Sequence, residues 1–145
     1  MNSDKVSPRT WLPLGTALIV AITAMVPLSA AAAPMKITLS GDQEVPPVKS
    51  AGTGAGTIDV GTDGLVSGSV TTTGIAGTAA HIHEGASGKN GPVIVPLTKN
   101  GDTYDVPAGS KFTDAQVASL KAGNLYVNVH TAANPGGELR VQLKP

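Results

Sequence analysis

Residues 55–72 read AGTIDVGTDGLVSGSVTT, two short runs carrying valine and threonine, Ala55 to Val60 and Val66 to Thr72, with Asp63-Gly64 between them. β-Branched residues suit a pleated strand better than a helix, and Asp-Gly tolerates the positive φ of a tight hairpin turn. The stretch therefore predicts two antiparallel strands. The same texture recurs on either side, in Lys36 to Ser40, Thr78 to His83, Val93 to Leu97, Thr103 to Val106, Leu125 to Thr131 and Glu138 to Leu143, and Asn100-Gly101 marks a second hairpin. One segment departs from it. Thr113 and Gln116 have the spacing of a capping box for a helix from Asp114 to about Ala122, with Gly123 as its left-handed stop and Val117 and Leu120 on its buried side. Such a helix would cover an open end of the sheet packing. The fold expected is all-β, an antiparallel Greek-key sandwich or flattened barrel of about seven to eight strands with one short helix.

The first quarter of the chain has a different character. Lys5 and Arg9 precede an apolar run from Trp11 to Leu28, followed by Ser29 and the alanines 30–33. That is the pattern of a secretory leader, with cleavage expected after Ala31 or Ala32 because Pro34 disfavours a cut directly before it. We assign residues 1–32 to a signal peptide and 33–145 to one domain in the periplasm or outside the cell. An uncleaved anchor is the alternative, weakened by Pro13, Gly15 and Pro27. The chain has no cysteine, so it has neither a disulfide staple nor a thioether lipid anchor.

Composition then narrows the function. Losing Asp4, Lys5 and Arg9 leaves residues 33–145 near neutral, and the chain's aromatic residues are one Phe, two Tyr and one Trp, the Trp in the leader. Neither a basic stripe nor a base-stacking platform is present, which argues against nucleic acid, and no stable membrane insertion is expected after cleavage. No thiol nucleophile and no Gly-x-Ser-x-Gly elbow exists. The glycine-rich run Gly85 to Gly91 does not open a helix, so it is not a phosphate cradle.

All three histidines fall in two strand candidates, as His81-Ile82-His83 and as His130 at the end of Val127-Asn128-Val129-His130. Alternation puts His81 and His83 on one face about 7 Å apart, and groups Tyr126, Asn128 and His130 on one face of their own strand. If the two strands are neighbours, three imidazoles converge, a set suited to copper or zinc. Asn128 could then orient a ring. Otherwise the rings hydrogen-bond to carbonyls, to Tyr126 or to Glu84 and lock strands together. Arg140 is the single arginine of residues 33–145, and a buried bidentate pair with Glu44 or Glu138 is expected, which makes Glu44, Asn128, Glu138 and Arg140 structural residues.

Four blocks in order carry a resemblance: Leu39-Ser40-Gly41-Asp42-Gln43-Glu44-Val45-Pro46-Pro47, Ala80-His81-Ile82-His83-Glu84-Gly85 with Asn90-Gly91-Pro92, Gly123 to Thr131, and Pro135-Gly136-Gly137-Glu138-Leu139-Arg140. Together they resemble the CHRD (chordin) domain over nearly all of residues 33–145. The resemblance implies an extracytoplasmic β-fold and no reaction; the function expected is a non-enzymatic binding or structural module of the envelope with a protein or matrix partner, and copper or zinc binding at the histidines is the alternative. More locally, His81-Ile82-His83-Glu84 before a glycine-rich loop is similar to the copper-ligand segment of copper/zinc superoxide dismutases. The lack of a bridging histidine and of a cysteine pair sets dismutase chemistry far behind simple metal binding.

Overall fold

The computed structural model describes residues 33–145, so the expected leader, residues 1–32, lies outside the described residues. The described chain forms nine strands and one α-helix: β1 Met35–Leu39, β2 Thr53–Val60, β3 Val66–Thr73, β4 Gly77–Glu84, β5 Val93–Pro96, β6 Thr98–Asn100, β7 Thr103–Asp105, α1 Asp114–Lys121, β8 Leu125–Thr131 and β9 Leu139–Leu143. The strands make two antiparallel sheets, ordered β1-β2-β3-β7-β6 and β5-β4-β8-β9. β7 returns to lie beside β3 and β8 beside β4, non-sequential pairings of the Greek-key kind. The sandwich stands and the barrel does not. An isolated pair, Ser40 with Arg140, links the two sheets at the β1 and β9 edge.

The local turn chemistry acts where it was expected. Gly64 (φ +82°) turns β2 into β3 and Gly101 (φ +62°) turns β6 into β7. The capping box forms in full, with Gln116 N donating to Thr113 Oγ1 at 3.2 Å and Thr113 N donating to Gln116 Oε1 at 2.9 Å. The strand count exceeds the expected seven to eight because the chain changes sheets after Leu97, whose amide still donates to Ala80 O of β4 at 3.0 Å. Beyond it, Thr98–Asn100 pairs with β7 in the opposite sheet.

Leu39, Ile58 and Val70 from one sheet and Ile82, Val127 and Leu139 from the other are all fully buried between the layers. Each such side chain contributes about 1.5–3 kcal/mol through loss of contact with water. Among the described residues no helix is long and apolar enough to cross a membrane.

The outer face of the second sheet is unusual. An antiparallel sandwich ordinarily leaves that side to solvent, yet β8 is buried on both sides, with Tyr126 and Asn128 only 2% exposed. The segments 41–47 and 85–92 fold over this face and are tied to each other by Asn90 Nδ2 donating to Val45 O at 2.8 Å. What they cover is polar.

Candidate metal centre

Strand register assembles the cluster. β4 and β8 pair with His81 opposite Asn128, His83 opposite Tyr126 and Ala79 opposite His130, and residues directly opposite share a face. The three imidazoles therefore meet on the outer face of the second sheet. His81 lies 4.8 Å from His130 and 5.6 Å from His83 between ring centroids, and His83 lies 6.2 Å from His130. One nitrogen from each ring can be chosen so that all three lie within 4.8 Å of one another.

Backbone carbonyls set the tautomers. His83 Nδ1 is 2.8 Å from Gly91 O and His130 Nδ1 is 2.9 Å from Pro135 O. A carbonyl only accepts, so both Nδ1 atoms carry the proton and both Nε2 atoms are left as acceptors. His81 Nδ1 donates to His130 Nε2 across 2.9 Å. His83 Nε2 is buried without a hydrogen-bond partner. Burial lowers the pKa of His81, and the neighbouring His130 and His83 lower it further. Burial also lowers that of His83, helped by the charges of His130 and Arg140 and opposed by hydrogen bonding to Gly91 and to Asn128. The fold thus favours the neutral, ligating form of these two rings.

A stack supports the cluster from one side. The His83 ring lies 4.7 Å from the Tyr126 ring at an interplanar angle of 7°, and the Arg140 guanidinium covers that ring 3.5 Å from its centroid. Arg140 is 1% exposed. It donates to Lys89 O (2.9 Å), Gln142 Oε1 (3.0 Å) and Asn90 Oδ1 (3.1 Å). Gln142 Nε2 in turn donates to Gly85 O and Gly123 O, both at 2.8 Å. Arg140 and Gln142 therefore clamp the loop whose Gly91 carbonyl holds His83.

This corrects the expected bidentate ion pair. Arg140 spends its planar donor fork on a loop, because main-chain and amide acceptors surround it. Glu138 instead accepts from Ser50 Oγ at 2.7 Å, Asn134 Nδ2 at 3.0 Å and Thr131 Oγ1, and hydrogen bonding to these side chains lowers its pKa. Glu84, one of the expected acceptors for the rings, accepts from Ser119 Oγ. Glu44 is 4% exposed, and its Oε1 has no hydrogen-bond partner. Burial raises its pKa, against the opposing effects of the Val45 amide and the Arg140 charge. Asn128 Oδ1 is likewise buried and unpartnered.

Two glycines belong to the site although no side chain marks them. A Cβ at Gly91 would run into Glu84 O, so only glycine lets this loop close over β4. Gly137 has φ +132°, and a Cβ there would sit 2.5 Å from Glu44 Oε1 and 2.8 Å from Asn128 Nδ2. Sequence reasoning missed Tyr126 and Gln142 as parts of the clamp, although both alternate onto the face of Asn128 and Arg140. The carbonyls of Gly91 and Pro135 had no signal to find, since every residue carries one.

Residues 35–143 match the family model for the CHRD domain. No curated protein and no solved structure matches the chain.

Proposed function

The chain belongs to the CHRD domain family, and from that membership and the geometry of the imidazole cluster we propose an exported, non-enzymatic domain that binds copper or zinc at His81, His83 and His130. The observation that carries this reading is the pair of carbonyl-fixed tautomers. A metal-ligating histidine ordinarily donates its second ring N–H to a carbonyl or carboxylate, which aims the ligating lone pair; His83 and His130 both have that arrangement, and at His130 Nε2 the ion would take the place of the His81 N–H. Copper(II) is the tighter-bound ion by the usual order of divalent affinities. Binding by neutral rings weakens as pH falls, and the lowered pKa of His81 and His83 extends it below the ordinary histidine value of about 6.5.

A second reading draws on the His81–His130 hydrogen bond of 2.9 Å. In it the rings lock β4 to β8 and the domain serves a protein or matrix partner. Calorimetric titration with Cu(II) and Zn(II) of wild type beside His81→Ala, His83→Ala and His130→Ala separates the two. Loss of binding in each variant supports one shared site. No binding by wild type, or unchanged binding in all three variants, leaves the strand-locking role. The same preparation, recovered from the periplasm or medium, should carry copper or zinc and begin at Ala32 or Ala33 by mass spectrometry; an intact Met1 in a membrane fraction would overturn export with cleavage.

A further inference from the structure

We propose that the amide oxygen of Asn128 is the fourth donor to the ion held by the three imidazoles, which makes the site an N3O set. This rests on the metal-binding reading above. Asn128 stands opposite His81 across the β4–β8 ladder, two residues from His130 on the same face, and its amide stands beside His83. Only 2% of Asn128 is exposed, and its Oδ1 has no donor unless His83 is protonated toward it. A buried amide oxygen without a partner is rare in a folded domain, and while His83 is neutral this one and the unpartnered His83 Nε2 present two lone pairs that either a proton on the ring or a cation would satisfy. A cation satisfies both.

The orientation of the amide follows from its other neighbour. Nδ2 and Glu44 Oε1 both lie within 3 Å of the point where a Cβ on Gly137 would sit. A carboxylate accepts and does not donate, so the NH2 end faces Glu44, on the side of β9 and the 41–43 turn. The oxygen is thereby turned away from Glu44, toward β4 and its histidines. Glu44 is in this sense a positioning residue, and Gly137 is the gap that admits it. A neutral carbonyl oxygen is a hard donor that suits Zn(II) and Cu(II) better than Cu(I).

The test uses residues 33–145 labelled with 13C and 15N and titrated with Zn(II). Coordination polarises the carbonyl, so the side-chain 13Cγ of Asn128 should move downfield and saturate at one equivalent, several times further than those of Asn90, Asn124 and Asn134. Zinc affinity is then measured for Glu44→Gln alone and for Glu44→Gln carrying Asn128→Asp. A carboxylate oxygen in place of the amide should tighten binding by about tenfold or more once the neighbouring charge is gone. Zinc binding that depends on all three histidines, with an unmoved Asn128 13Cγ or no tightening in the Asp variant, overturns the fourth donor and leaves the three-imidazole site intact. Absence of zinc binding in the wild type overturns both, a result calorimetry alone identifies.

Discussion

Arg140→Lys is the substitution that tests the clamp most directly. The guanidinium makes three hydrogen bonds of 2.9–3.1 Å to Lys89 O, Gln142 Oε1 and Asn90 Oδ1, and lies 3.5 Å from the Tyr126 ring centroid. An ammonium at this position keeps the charge but lacks the planar fork, so it reaches one of these acceptors at a time. Two lost bonds at about 1 kcal/mol each, and the loss of the face-on ring contact at about 1 kcal/mol, give about 3 kcal/mol. That is a large part of the stability of an ordinary small domain. Urea unfolding of metal-free wild type and variant, with equal slopes, reads the difference from the midpoints. Hydrogen exchange should show faster exchange of the Gly85 and Lys89 amides, because the loop they close has lost its anchor. A stability difference below about 1 kcal/mol, or unchanged exchange in that loop, would refute the assignment of Arg140 as its anchor.

Two further outcomes follow from the outer face. The fold holds His81 and His83 below their ordinary pKa, so as pH falls from about 7 the unfolded chain takes up protons before the folded one does. Metal-free stability should thus be complete above about pH 6.5 and decline below it, by at most about 1.4 kcal/mol per pH unit for each imidazole. Urea midpoints between pH 7.5 and 5 test this, and a His81→Gln, His83→Gln double variant should flatten the slope; Glu138, held below its ordinary value of 4.5 by hydrogen bonds, titrates under this range, whereas Glu44, raised by burial, works against the histidines as pH falls, so both chains are compared in a Glu44→Gln background. Gly137→Ala should cost about 2–3 kcal/mol in thermal or urea unfolding, since it adds a Cβ at φ +132° against Glu44 and Asn128. It should also weaken Zn(II) binding by displacing Asn128, and wild-type affinity in this variant would show that the amide takes no part.

How much of this was legible in the sequence depends on how far each signal reaches along the chain. Asp63-Gly64, Asn100-Gly101 and the Thr113–Gln116 box act within four residues, and all three did in the fold what their chemistry demands. The alternation of Leu125 to His130 separated an apolar face from one bearing Tyr126, Asn128 and His130, because strand period depends on backbone geometry alone. From the residues themselves came the three candidate ligands and an all-β fold, with sandwich and flattened barrel both open.

Tertiary structure decided the rest. β4 and β8 are separated by 40 residues of chain, from Gly85 to Asn124, and only the sandwich topology made them neighbours in a register that sets His81 beside Asn128. Arg140 bonded a loop in place of a carboxylate because folding brought four uncharged acceptors to its fork, a competition invisible along the chain. The tautomers of His83 and His130 were settled by the carbonyls of Gly91 and Pro135, groups every residue possesses. Side-chain pattern is written in the sequence; where a main-chain acceptor comes to rest is known only when the backbone has closed around it.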